Sequence, residues 1–149
     1  MAISISTVTN SIAALSVTGV TIKDLDEIPS SVLGRDCPIL YPEPDGFIAN
    51  LTVTPMAFGT AGSGPFDVDY DLVYAFLYCP IGTGRSLLDV YDKMVAMAVL
   101  IYDRIIVSDT ITGAVTLTPG DVMQFGAVPD PSSNMFMGTR MIFHVKEFE

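Results

Sequence analysis

The chain of 149 residues is long enough to bury a sizeable core as one domain, 1–149, and half of it is apolar with only 16% charged, which excludes a disordered tail or linker. Seven basic against seventeen acidic residues leave a formal charge of −10, and a surface that negative repels a phosphate backbone. Sequence-specific nucleic-acid binding is therefore excluded, whereas a surface past which DNA slides without sticking is not. The longest apolar run, MVAMAVLIY at 94–102, is about half of what a spanning helix needs, and MAISISTVTN lacks the basic and apolar regions of a secretion signal, so no membrane contact is expected. Few charges on an apolar chain without a span fit a subunit that buries extra surface against its neighbours.

In chain order, STVTNSIAALSVTG sets Val8, Ile12 and Leu15 at helical spacing and stops at Gly19. Its Ser and Thr content makes it a weak helix former that packing must hold. A short strand is expected from Val20 to Leu25, closed by Pro29. From Arg35 the chain reads RDCPILYPEP, whose prolines predict an extended connector over the surface or along a sheet edge. GFIANLTVTP alternates, with Phe47, Ala49, Leu51 and Val53 on one side and Ile48, Asn50, Thr52 and Thr54 on the other, the pattern of a half-buried strand.

FGTAGSGPF, residues 58–66, predicts a flexible loop. DVDYDLVYAFLYCPIG follows, apolar on both faces from Leu72 to Cys79, which predicts a strand covered on one side by helices and on the other by a neighbouring subunit. TGRSLLDVYDKMVAMAVLIYDRI predicts a helix capped by Ser86, with an apolar stripe of Leu87, Val90, Tyr91, Met94, Ala98, Ile101 and Ile105. ITGAVTLTPGDV predicts a strand, PDPSSN at 129–134 a loop, and FMGTRMIFHVKEFE the last strand. The order α-β-β-β-α-β-β implies an α+β domain: a mainly antiparallel sheet of four to five strands with two helices on one face.

Chemistry has few places to reside. Cys37 and Cys79, 42 positions apart, belong to no C-x-x-C pair and are expected to be reduced and structural. A Ser-His-Asp or Cys-His system would need His144, the only histidine. Alternation puts Met141, Phe143 and Val145 on one face and Arg140, Ile142, His144 and Lys146 on the other. His144 thus lies beside two cations that disfavour its protonation, as a surface or interface residue.

Asp67, Asp69 and Asp71 begin like a calcium loop, but Leu72 stands where its glycine belongs and Tyr78 where its glutamate belongs. On a strand, the three carboxylates share one face, as a solvated end or as an acidic patch that lines a channel or meets a basic partner. GTAGSG and IGTGRS do not match a P-loop, and Thr83 or Ser86 as a helix cap accounts for the latter better than a bound anion. No metal, cofactor or catalytic set is expected.

The N-terminal helix, VTIKDLDEIPSSV with the RDCPILYPEP connector, DLVYAFLYCPIG leading into SLLDVYDKMV, and the closing MGTRMIFHVKEFE together span nearly the whole chain. In this arrangement the chain resembles the tail terminator proteins of long-tailed bacteriophages. The resemblance implies a non-enzymatic virion protein of the tail and neck, assembled in the host cytoplasm as a homohexameric ring. Its partners would be its own copies, the major tail tube protein that it caps, and a neck or head-completion protein. Genomic DNA would pass through the lumen without specific binding.

In that setting Asp67, Asp69 and Asp71 would face the lumen or a neighbour, and the basic face of Arg140, His144 and Lys146 an acidic one. The loops 58–66 and 129–134 would be partner contacts. Two alternatives stand beside this: a phage neck connector or head-completion protein, and a small-molecule- or metal-binding α+β domain.

Overall fold

The computed structural model describes residues 5–15, 17–55, 66–81, 87–107, 115–119 and 124–148. The expected loop at 58–66, apart from Phe66, and the Thr83 and Ser86 caps lie outside the described residues. The elements are helix α1 (Ile5–Ala13), β1 (Thr21–Ile22), two 3-10 turns (Leu25–Glu27 and Gly34–Asp36), β2 (Ile39–Pro42), β3 (Ile48–Pro55), β4 (Phe66–Pro80), helix α2 (Leu87–Val107), β5 (Val115–Pro119), β6 (Phe125–Pro129) and β7 (Met135–Phe148). The fold is α+β, as expected. No helix among the described residues is long and apolar enough to cross a membrane.

The sheet has seven strands rather than four or five, in the order β1-β2-β4-β7-β5, with β3 also on β4 and β6 also on β7. Only β1 and β2 run parallel; every other pair is antiparallel. The centre is the β4–β7 ladder, whose register runs from Asp67↔Phe148 to Pro80↔Phe136. Both helices pack on one face of it. Val8 and Ile12 of α1 and Val90, Met94, Ala98, Ile101 and Ile105 of α2 share a buried cluster with Leu72, Tyr74, Phe76, Met141, Phe143 and Val145. Helical spacing had marked the helix positions and alternation the strand ones, so one rule of side-chain direction built both surfaces.

Tyr102 of α2 does two jobs at that seam. Its ring stands edge-on to Phe143 at a centroid distance of 5.1 Å. Its hydroxyl accepts from the Ile142 N–H and donates to the Ile142 C=O, each at 3.2 Å. The partners of β7 on that side end at Thr139 with β6 and resume at Phe143 with β5. The hydroxyl therefore serves main-chain groups that a strand would otherwise pair.

The opposite face of β4 departs from expectation. Ala75 and Leu77 are buried there with Val32, Ile39, Tyr41, Val128 and Phe136, and Ile28 and Cys37 pack against them. The cover over Ala75 and Leu77 is the chain's own 28–37 segment, a strap over the sheet. The connector at 35–44 is likewise corrected. Its centre is β2, paired to β1 on one side and β4 on the other, with all four residues buried. Pro38 and Pro42 flank the ILY core, where a missing donor interrupts little of the ladder.

β3 is a second correction. Its register moves from Ala49↔Asp71 to Thr52↔Asp69, which leaves an extra residue on β3 and a β-bulge. Asn50 there adopts φ 55°. The bulge exchanges the two faces, turning Val53, expected on the same side as Ala49, to the side of its partner Val68, and Leu51 and Val53 are each about half exposed. β6 had not been foreseen. It forms a hairpin with β7 through Phe125↔Thr139 and Pro129↔Met135.

Gly138 lies opposite Leu77, beside a bulge of β4 between Leu77 and Cys79. A Cβ on it would stand 1.9 Å from the Phe76 carbonyl oxygen and 2.9 Å from its carbon, both main-chain atoms that no rotamer can clear. Gly126, its neighbour on β6, has no atom within 4 Å of the same construction. Gly138→Ala is expected to cost about 2–4 kcal/mol of stability through overpacking, and Gly126→Ala less than about 0.5 kcal/mol. Urea denaturation of the two variants checks the contrast.

Candidate functional site

Alternation along β4 turns Val68, Tyr70, Leu72 and Tyr74 into the core and leaves Asp69 and Asp71 on the far face. On β7 the same rule leaves His144 and Lys146 on that face. The ladder register sets Asp69 across from Lys146 and Asp71 across from His144. The two groups of residues separated as acidic and basic interface candidates therefore meet each other within one chain. Asp71 accepts a hydrogen bond from the His144 ring at Nδ1 and a second from Asn50 Nδ2 at 2.8 Å. These residues line a cleft of about 340 Å³.

The expected neighbourhood of His144 is corrected by this geometry. Arg140 and Lys146 lie four and two positions along the strand, while the cross-strand partner is nearer, and that partner is a carboxylate. The contact at Nδ1 fixes the ring's orientation and leaves Nε2 as the edge not bonded to Asp71. Asn50 reaches Asp71 because the β3 bulge re-aims it, in a left-handed conformation that Asn tolerates better than most residues. The combination is an oriented imidazole beside two carboxylates and an ammonium. The residues lining the cleft include no hydroxyl or thiol nucleophile other than the buried Tyr70.

The remaining candidates fall elsewhere. Arg140 lies four residues up β7, and its Nε contacts Glu43 Oε2 at 3.2 Å. Asp67 pairs through its backbone with Thr54 and Phe148, and its side chain lies outside the described residues. A scan against protein-family models finds no match to the chain, and a search of curated proteins finds none either.

The 129–134 segment, expected to be a flexible contact loop, is a tight turn built on Asp130, which is only 5% exposed. Its carboxylate accepts from the backbone N–H groups of Asn134 at 2.7 Å, Val32 at 2.9 Å and Ser132 at 3.0 Å, and from the Ser132 hydroxyl. The Val32 bond pins the strap. Asx-turn chemistry in D-P-S-S-N is legible in sequence; a partner 98 positions away is not.

Two measurements test these assignments. The His144 side chain is 42% exposed and that of Asp71 15%, so His144→Ala and Asp71→Asn are each expected to cost about 1 kcal/mol or less in urea melts. Asp130 behaves differently. Burial raises its pKa, but the hydrogen bonds from Val32, Asn134 and Ser132 outweigh burial and hold it below the ordinary 3.8. The unfolded chain then binds the proton first as pH falls. The stabilisation is complete above about pH 4 and is lost as pH drops through the folded value. Asp130→Asn is expected to cost roughly 1–3 kcal/mol at pH 7 and to flatten the loss of stability below pH 4; melts between pH 2.5 and 7 check both.

Proposed function

We propose that the chain is a structural subunit that closes into a ring, in the role of a phage tail terminator that caps a tail tube and offers a docking surface to the head. The observation that carries this reading is the state of the sheet's margins. Among the described residues β3 pairs only with β4, and β5 and β6 only with β7, so unpaired strand edges stand at both ends of one sheet. Such edges are templates for another chain, and proteins that remain monomers blunt them with charge or cover.

On β3 the outward residues are Leu51, Thr52, Val53 and Thr54, without a charge among them. Opposite margins of one sheet meet head to tail, which is the contact that generates a closed ring when the rotation closes. Exposed Leu88, Val95, Val99 and Leu100 on α2 add apolar surface of the same kind. The formal charge of −10 suits a lumen that DNA traverses without adhering. In this reading the Asp71–His144 pair is a surface contact that ties β4 to β7 and makes or breaks no bond.

A second reading, a small-molecule-binding α+β domain, is favoured by one observation. The left-handed Asn50 and the Asp71-oriented His144 converge on a single cleft, and strained backbone clusters at ligand sites.

Light scattering on the eluting protein separates the two. A ring near six times the 16.0 kDa chain, reduced to monomer by Val53→Asp without loss of the folded far-UV spectrum, is the expected outcome. A monomer at high concentration that also fails to assemble with a tail tube protein would sink the ring.

A further inference from the structure

We propose that Cys37 and Cys79 form a dithiol site that closes into an intramolecular disulfide on meeting a small-molecule disulfide, fastening the 28–37 strap to the sheet. Neither cysteine is in a disulfide in the structure. The proposal does not rest on the ring reading, and it concerns the end of β4, where Cys37 packs against the strap-side cluster and Cys79 against the helix-side one, beside Met97 of α2.

Three observations bring the thiols together. The register of β2 on β4 ends at Ile39↔Leu77, and Cys37 and Cys79 each lie two residues beyond that last pair, Cys79 just past the β4 bulge. Both cysteines also line one cavity of about 530 Å³, with Gly34, Pro38, Tyr78 and Pro80 among its walls. Finally, strap and strand already touch there: a Cβ on Gly34 would come within 3.0 Å of the Pro80 ring.

Exposure divides the roles. Cys37 is partly exposed and Cys79 is buried, so Cys37 is the thiol an external reagent reaches and Cys79 the one that resolves. Burial, then Cys79, then Asp36 push the Cys37 thiol up to about 11. Its S–H also points to the Leu33 carbonyl oxygen at 3.9 Å. Attack at neutral pH is therefore slow, and in the resulting bond the Cys37 sulfur leaves poorly. That profile suits a lock set once and not a rapid sensor.

The reaction balances with a glutathione-type disulfide as oxidant. The Cys37 thiolate attacks one sulfur, forming a mixed disulfide and releasing one small thiolate. The Cys79 thiolate then attacks Cys37 Sγ, forming the protein S–S bond and releasing the second. Two protein thiols are oxidised, one small disulfide is reduced to two thiols, and the two protons pass to the departing thiolates.

The test incubates the native full-length chain with oxidised glutathione at pH 8 and follows intact mass, non-reducing peptide maps and thermal melting. Expected are the loss of two hydrogen masses, a Cys37–Cys79 linked peptide, and a Tm raised by roughly 10 °C through loop closure. Cys79→Ser should stop at one glutathione added on Cys37, and Cys37→Ser should not react while folded. A wild-type product that retains glutathione would overturn the proposal, as would unreacted thiols under conditions that fully modify the Cys79→Ser variant. Failure of both to react, with the unfolded chain reacting freely, would overturn it as well.

Discussion

The β4–β7 ladder is the constraint on which the rest of the molecule depends. Its partners run from Asp67↔Phe148 to Pro80↔Phe136, and every other strand except β1 is attached to one of its two members. A slip of one residue would turn Tyr74, Phe76, Met141 and Phe143 out of the core and drive Asp69, Asp71, His144 and Lys146 into it. The register is thus fixed by burial along both strands at once. The ladder tolerates one irregularity, the β4 bulge between Leu77 and Cys79, and there the facing residue is Gly138, pressed against the Phe76 backbone. Bulge and glycine are a single device, because the extra residue moves a carbonyl into the space a side chain would fill.

From the same register follow the electrostatics of the surface. Asp71 and His144 are 73 positions apart and meet because the ladder aligns them. Two of the β4 carboxylates therefore face groups of the same chain that looked from either strand alone like binding surface. On the other face, Asp130 spends its hydrogen-bonding capacity on the turn that holds it and on Val32 of the strap. One exposed pair and one buried carboxylate differ in worth for a physical reason: water screens the first, while the second is desolvated and held by main-chain donors.

Much of this was legible in the sequence, and the misses have identifiable causes. Helical spacing located α2, since Val90, Met94, Ala98, Ile101 and Ile105 are buried as their periodicity requires. The apolar run located β4 and alternation β7, and alternation chose the face of β7 that packs on the helices, Met141, Phe143 and Val145. β2 was read as an extended connector over the surface or along a sheet edge because prolines dominate RDCPILYPEP, although the three residues ILY between Pro38 and Pro42 suffice for a buried strand. β6 escaped because FGAVP is short and carries a glycine and a proline. The β3 bulge was invisible, because nothing in an alternating pattern announces an inserted residue, and it put Val53 on the opposite side from Ala49. The site residues Asp69, Asp71, His144 and Lys146 were all named from sequence, but their mutual pairing was not, since register is a tertiary property. Asn50 and Asp130 were passed over as singular residues, the first because only the bulge aims it, the second because only the strap buries its turn.

Among the described residues β3, β5 and β6 each pair on one side only, and the proposed ring would use those margins. The central claim, that the β4–β7 ladder is the cooperative unit from which everything else hangs, is open to native-state hydrogen exchange resolved by residue. The amides of 72–77 and 139–145 that bond across the ladder should exchange only through global unfolding, with β3 and β5 opening at lower free energy. Ladder amides that exchange faster than those of α2, through a local opening independent of the helices, would contradict it.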